Sequence, residues 1–135
     1  MQLTIQPKDS LSPAQLALVA ERLALPEHQH DEGPSRAWHG YSSGLYAFFD
    51  DGSGRLVALV EVAAGPVARP GWWIDQAFRG QGHGRAVMDL LAAQLKANGV
   101  TSIGWVMFAS HKQQYDARSA RLLARLRRHF EPVPD

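Results

Sequence analysis

The segment FRGQGHGRAV, Phe78 to Val87, sets glycines at 80, 82 and 84 between Arg79 and Arg85. Glycine lets a backbone approach a ligand with no side chain in the way. Arginine adds charge-assisted bonds to an anion. A strand-like WWIDQ precedes the glycines and a helix-like RAVMDLLAAQLKAN follows them. The first-turn N–H groups of such a helix lack intrahelical partners, and its dipole adds partial positive charge. The chemistry that fits is phosphate binding. The plainer reading is a tight turn.

Two nucleotide cradles are excluded by spacing. The Walker pattern needs Gly-Lys-Ser/Thr after four spacers, and from Gly80 that place holds Arg85 and Ala86. The dinucleotide pattern Gly-x-Gly-x-x-Gly reaches Val87 when started at Gly82 and Arg85 when started at Gly80. It also expects a run of parallel strands, and this loop follows a hairpin.

Other clusters carry weaker chemistry. His28, His30 and His39 lie near Glu27, Asp31 and Glu32 in one polar stretch. Imidazole and carboxylate are zinc ligands, but this spacing matches no closed site, so no metal is expected. Arg118, Arg121, Arg125, Arg127 and Arg128 fall near the C-terminus. Phosphate contacts to nucleic acid are one reading. No aromatics are interleaved to stack on bases, and Arg118, Arg121 and Arg125 lie opposite a leucine stripe, so a solvated face is preferred.

The elements that must position these residues follow from periodicity. Leu3 and Ile5 alternate in a short strand that Pro7 ends. Ser12 reads as an N-cap, with Pro13 at the first helical position and Gln15 closing a capping box. Leu11 and Leu16 form the staple, and Leu16, Val19, Ala20 and Leu23 recur at helical spacing. Leu45–Phe49 and Leu56–Val62 read as a hairpin around DDGSG. AGPVARPG reads as a second turn, and WWIDQ as a short strand. In the next helix Val87, Leu91 and Leu95 share a face with Met88 beside them, and Gly99 suits its end. VTSIGWVMF is a strand with Ile103, Trp105 and Met107 on one face. The last helix has Asp116 as N-cap and a stripe of Tyr115, Ser119, Leu122, Leu123, Leu126 and Phe130. The predicted fold is α/β in the α+β sense: a mixed, mostly antiparallel sheet with helices on both faces.

Composition bounds the class. The chain has 135 residues, 45% of them apolar, which suits one domain over 1–135. A net charge of +1 gives no general case for nucleic acid or an acidic membrane. There is no cysteine, which excludes disulfides, thiolate metal sites and a thiol nucleophile. MQLTIQPKDS lacks the basic and apolar regions of a secretory signal, and no apolar run approaches the roughly 20 residues a bilayer needs. The expected compartment is the cytoplasm, with no membrane partner.

Arg79-x-x-Gly82-x-Gly84, after a strand and opening a helix, resembles the acyl-CoA-binding motif of the GNAT family of N-acyltransferases. The likeness extends over IDQAFRGQGHGRAVMDLLAAQLKANGV and, in element order, from about Leu45 to Phe130. It implies acetyl transfer from acetyl-CoA to a primary amine. By resemblance, Arg79, Gly80, Gln81, Gly82, His83, Gly84 and Arg85 hold the pyrophosphate. The pantetheine arm pairs with Trp72, Trp73 and Ile74, and the Ile74 amide stabilises the oxyanion. For the two tryptophans core packing is the other reading, and both can hold. Asp116 takes the place of the family's Asn near the pantetheine, with Ser119 a turn later.

Such a reaction needs a base, because a protonated amine cannot attack. Glu61, flanked by valines in LVALVEVA, is the first candidate: if desolvated, its pKa rises. An outward-facing Glu on an alternating strand is the commoner arrangement. Asp75 is the next candidate, or simply ends its strand. The family's usual acid, a Tyr seven residues past the Asn, is replaced by Leu123, or by Arg125 in a shifted register. Tyr115 is a substitute acid or a helix-end packing residue.

The family's two further strands begin at a Gly-Phe pair. Here the pair is His129-Phe130, and few residues follow. The fold is therefore expected to be shortened at its C-terminus, with the acceptor pocket either open or completed by a second copy in a homodimer. The acceptor is a small-molecule or peptide amine, and nucleic acid is not the favoured partner. Two other readings stand beside the enzyme: an acyl-CoA-binding module without turnover, and a nucleic-acid adaptor using the arginine helix.

Overall fold

The computed structural model describes residues 2–24, 43–63, 66–78, 82–104 and 117–130. In chain order the elements are β1 (Leu3–Pro7), α1 (Pro13–Leu23), β2 (Ser43–Asp50), β3 (Leu56–Ala63), β4 (Val67–Ile74), α2 (His83–Ala97), β5 (Ser102–Ile103) and α3 (Ala117–Arg128). Short 3-10 turns at Lys8–Ser10 and Gln76–Phe78 follow β1 and β4.

The five strands form one sheet in sequential order. β1, β2, β3 and β4 pair antiparallel, and β4 pairs with β5 in parallel. The mixed, mostly antiparallel sheet is as the sequence predicts. The helix between β4 and β5 is the crossover that parallel pairing requires.

Both faces of the sheet are buried. Leu45, Ala47 and Phe49 of β2 join Leu59, Trp73, Val19 and Leu23 under α1. Phe48, Val60 and Val62 face the other way, against Val87, Met88, Leu91 and Leu95 of α2 and Leu126 of α3. A strand buried on both sides reads as a continuous apolar run, and LVALV in β3 is that run.

The local signals act as their chemistry dictates. The Ser12 hydroxyl accepts from the Gln15 N–H at 3.2 Å, and the Gln15 side chain accepts from the Ser12 N–H at 2.9 Å, closing the capping box. The DDGSG hairpin is held by Asp50, whose carboxylate accepts from the Gly52 N–H and the Ser53 hydroxyl, and by Gly54 at φ +72°. The Ser53 hydroxyl holds the Asp50 carboxyl below its usual range. Gly99, at φ +86°, ends α2.

One element differs from expectation. AGPVARPG does not form a turn throughout: Val67, Ala68, Arg69 and Pro70 belong to β4, which is eight residues long. Pro and Gly there suggest a break, yet Pro70 faces Val62 in a non-hydrogen-bonded pair, where β3 asks for no N–H. Trp105, Met107, Tyr115, Asp116 and residues 131–135 lie outside the described residues, so the strand beyond Ile103, the last helix's cap and the shortened end belong to the sequence reading alone.

Candidate active site

The end of β4 and the start of α2 carry the glycine motif. Asp75, only 4% exposed, fixes the exit from the strand. Its N–H donates to the Val57 carbonyl at 2.8 Å, and its Oδ1 accepts from the Ala77 N–H at 2.9 Å. Its Oδ2 lies 3.3 Å from Nε of Arg22 on α1. Asp75 thus ties strand, turn and helix together, and the structural alternative to a base is the one observed.

Gly82 is the N-cap of α2 at φ +83°, ψ 0°, a left-handed conformation that favours glycine. A Cβ built there would meet nothing within 4 Å, so the position is held by its conformation and not by crowding. No side chain caps the helix and no acidic residue sits in its first turn. Arg85 is exposed, its N–H 3.3 Å from the Gly82 carbonyl. His83 packs edge-on against Phe78, with ring centroids 5.5 Å apart, and the Arg55 guanidinium lies over the Phe78 ring, 4.9 Å from its centroid. The start of a 15-residue helix with no side-chain cap, and with an exposed Arg85 in its first turn, suits an anion.

Gly84 serves packing. A Cβ there would come within 2.9 Å of one Leu122 methyl and 3.1 Å of Ile74 Cδ1. This glycine lets α2 close onto α3 and the end of β4. Arg79, Gly80 and Gln81 lie outside the described residues.

The β4 backbone has a direction. Hydrogen bonding alternates along an antiparallel pair. Because the Asp75 N–H points to β3, the main-chain groups of Ile74 and Trp72 point to the other side, toward β5. Their side chains pack with α2 and α3, while Trp73, 4% exposed, packs under α1. Core packing of the tryptophans is therefore observed.

Glu61 is 1% exposed, so the commoner arrangement expected from the sequence, an outward-facing carboxylate, is overturned. The reason is that β3 is central and covered on both faces. Glu61 falls on the α1 face with Leu59, between Leu45 of β2 and Gly71 of β4. Gly71 is three residues before Ile74, about 10 Å along the strand.

Of the last helix's candidates, Ser119 sits in the first turn of α3, and Asp116 and Tyr115 fall outside the described residues. Leu123, at the place of the family's acid, is a 6% exposed core residue. The histidine-rich stretch also lies outside, and no cluster of metal-ligating side chains occurs among the described residues.

The arginines are not simply a solvated face. Arg125 donates through Nε and Nη2 to both oxygens of Asp89 on α2, at 2.9 and 2.8 Å, and His129 Nε2 lies 2.7 Å from the same carboxylate. Arg125 above all, and His129 with it, holds the Asp89 pKa down to about 2. Arg127 donates to the Gly104 carbonyl at 3.0 Å. Sequence reasoning missed these roles. Asp89 was the available signal, the one acidic residue on α2, the helix that packs against α3.

A family profile described as Acetyltransferase (GNAT) family matches residues 15–126. None of the curated proteins is significantly similar in sequence. Among solved structures, the chain resembles a ribosomal-protein-S5-alanine acetyltransferase from Vibrio fischeri, with TM-score 0.63 and 13% identity over 93% of this chain and 79% of that one. It also resembles the ribosomal-protein-S18-alanine N-acetyltransferase from Escherichia coli, with TM-score 0.57 and 17% identity over 93% of this chain and 76% of that one. A third likeness is to AAC(6')-Iy, in complex with the bisubstrate analogue CoA-S-monomethyl-acetylneamine, with TM-score 0.58 and 12% identity over 100% of this chain and 95% of that one. A profile match over most of the length, on a fold shared with acetyltransferases, places this chain in the GNAT family of acetyltransferases, as an acyltransferase enzyme.

Proposed function

We propose that the protein transfers an acetyl group from acetyl-CoA to a primary amine by direct attack on the thioester. The observation that carries this reading is the start of α2 at Gly82, which has no side-chain cap and an exposed Arg85 in its first turn, beyond a strand whose Trp72 and Ile74 main-chain groups face away from β3. AAC(6')-Iy, a protein of the same fold, holds a CoA-based bisubstrate analogue.

In this reading the α2 amides and Arg85, with Arg79 ahead of them, hold the pyrophosphate. The outward edge of β4 pairs with the extended pantetheine arm. The Ile74 N–H polarises the thioester carbonyl and stabilises the negative charge that develops on its oxygen. The amine nitrogen forms the new C–N bond, the C–S bond breaks, and CoA leaves as a thiolate that takes up a proton. Glu61 receives the proton lost by the amine. At about 10 Å along the strand from Ile74, it does so through water rather than by direct contact. Holding amine and thioester together supplies much of the remaining acceleration. With Leu123 in the core, proton delivery to the thiolate comes from Tyr115 or from solvent.

Calorimetry with acetyl-CoA, followed by a thiol-release assay over a panel of amines, tests the reading. Binding and amine-dependent thiol release are expected. Binding with no release on any amine would leave a non-catalytic acyl-CoA-binding module. In the same assay Glu61→Gln should lower kcat roughly a hundredfold or more, the range of general-base catalysis, with acyl-CoA affinity unchanged. Wild-type turnover in that variant removes Glu61 as the base.

A further inference from the structure

Arg85, in the first turn of α2, and Asp89 stand four residues apart on one helix. At that spacing side chains meet and opposite charges pair. These two do not pair. Both Asp89 oxygens are taken from α3 instead: Oδ1 by Nε of Arg125 at 2.9 Å and by Nε2 of His129 at 2.7 Å, and Oδ2 by Nη2 of Arg125 at 2.8 Å. Arg85 is exposed, and among the described residues its side chain makes no hydrogen bond or ion pair.

The helix α3 reaches Asp89 because it runs alongside α2 in the same direction. Leu122 packs at Gly84, Arg125 bonds Asp89, and the Lys96 ammonium lies over the Phe130 ring, 5.5 Å from its centroid. Arg125 is thus level with Asp89, one turn beyond Arg85. The carboxylate that precedes the helix is met in the same way: Oδ2 of the buried Asp75 lies 3.3 Å from Nε of Arg22 on α1. Asp89 keeps its charge at pH 7 with or without Arg125, because its ordinary value is 3.8. Without Arg125 that charge would stand about 10 Å along the axis from the Gly82 N-cap, and its Oδ2 would be open to Arg85.

On the acyl-CoA reading above, we propose that Arg125 is a positioning residue for the donor's phosphates: by taking Asp89 from across the seam between α2 and α3, it keeps the start of α2 cationic and leaves Arg85 to the pyrophosphate. An exposed i, i+4 pair is weak, so capture of Arg85 by Asp89 costs about a factor of two in donor affinity. Repulsion between the uncompensated carboxylate and the phosphates adds a factor of about two.

Calorimetry with acetyl-CoA on a set of variants is the test. Arg125→Gln should raise the Kd about threefold to fivefold at low ionic strength, and less as salt is added. Adding Asp89→Asn to it should bring the Kd back to within about twofold of wild type, because the charge is removed although the ion pair is not restored. Asp89→Asn alone should bind acetyl-CoA at least as tightly as wild type. Arg125→Gln should have a smaller effect in an Arg85→Gln background than in the wild type. A merely structural clasp gives the reverse pattern: Asp89→Asn alone weakens binding, and the double variant stays as weak as Arg125→Gln. Either of those results overturns the proposal and leaves the functional reading standing. An unchanged Kd in Arg125→Gln, or an effect undiminished by Arg85→Gln, does the same. Should Arg125→Gln fail to fold, Asp89→Asn alone decides. A wild-type protein that binds no acetyl-CoA removes both the proposal and the reading beneath it.

Discussion

Gly82 holds φ +83°, where an L side chain costs about 1–2 kcal/mol. Its absent Cβ would point into open space, so the penalty for filling the position is conformational and not a clash. Gly84, two residues on, has helical geometry and the opposite constraint: its Cβ would press on Leu122 and Ile74 methyls. Those atoms are ends of flexible side chains, and alanine gains up to about 1 kcal/mol over glycine within a helix. Gly82→Ala should therefore lower unfolding free energy by about 1–2 kcal/mol and weaken acetyl-CoA binding. Gly84→Ala should stay within about 1 kcal/mol of wild type, because the two effects oppose. Urea denaturation of both variants checks the contrast, and equal losses would refute it. The motif was legible in sequence because glycine spacing reports backbone requirement. What it could not show is which glycine is required by its φ and which by packing, since that depends on Leu122, 38 residues away along the chain. Glu61 was legible as a residue and not as an environment. Its burial comes from the second face of the sheet, which alternation within one strand does not reveal.

Strand β4 shows the same limit at the level of elements. Pro and Gly in VARPGWWI mark a break, yet β4 pairs with β3 in one register from Arg69 to Ile74. Propensity counts a proline against the whole strand; hydrogen-bond parity decides which neighbour loses a rung. The helices were legible because their apolar spacing and caps agree. The tie between α2 and α3 was not. Arg125 clasps Asp89 with two hydrogen bonds and His129 adds a third contact. The Asp89 carboxyl, normally near 3.8, is held down to about 2 in the folded protein. A lowered folded-state value means stability present above pH 3.8 and lost as pH falls toward 2. The side chains of this pair are 38% exposed, so solvent screening limits the contribution to at most about 1 kcal/mol. Asp89→Asn should therefore be less stable than wild type by that amount or less at pH 7. The gap should close between pH 3.8 and about 2, where the wild-type carboxylate takes up its proton. Denaturant midpoints of both proteins across that range are the measurement. A gap that widens on acidification would contradict the assignment.

At the scale of the molecule, a five-stranded sheet is covered by α1 on one face and by α2 and α3 on the other, and the candidate site lies where the sheet and the second layer meet. Ile74, Leu122 and Gly84 bring β4, α3 and α2 together within van der Waals distance there. A ligand held at the start of α2 and along β4 therefore binds the assembled layers and has no counterpart site in the unfolded chain. Such a ligand stabilises the fold by mass action, about 2.7 kcal/mol at a hundred times its Kd. For a chain of 135 residues that corresponds to a rise in Tm of roughly 10 °C. Thermal unfolding of the wild type over a series of acetyl-CoA concentrations should show this rise, growing with the logarithm of concentration above Kd. Gly82→Ala should need more ligand for the same increment, because its helix start no longer presents the same backbone. Glu61→Gln should reproduce the wild-type curve, because Glu61 faces the α1 layer and not the strand edge proposed to hold the thioester. A flat Tm at millimolar acetyl-CoA would exclude the donor site at the start of α2. A loss of the shift in Glu61→Gln would place Glu61 in binding and leave the reaction without its base.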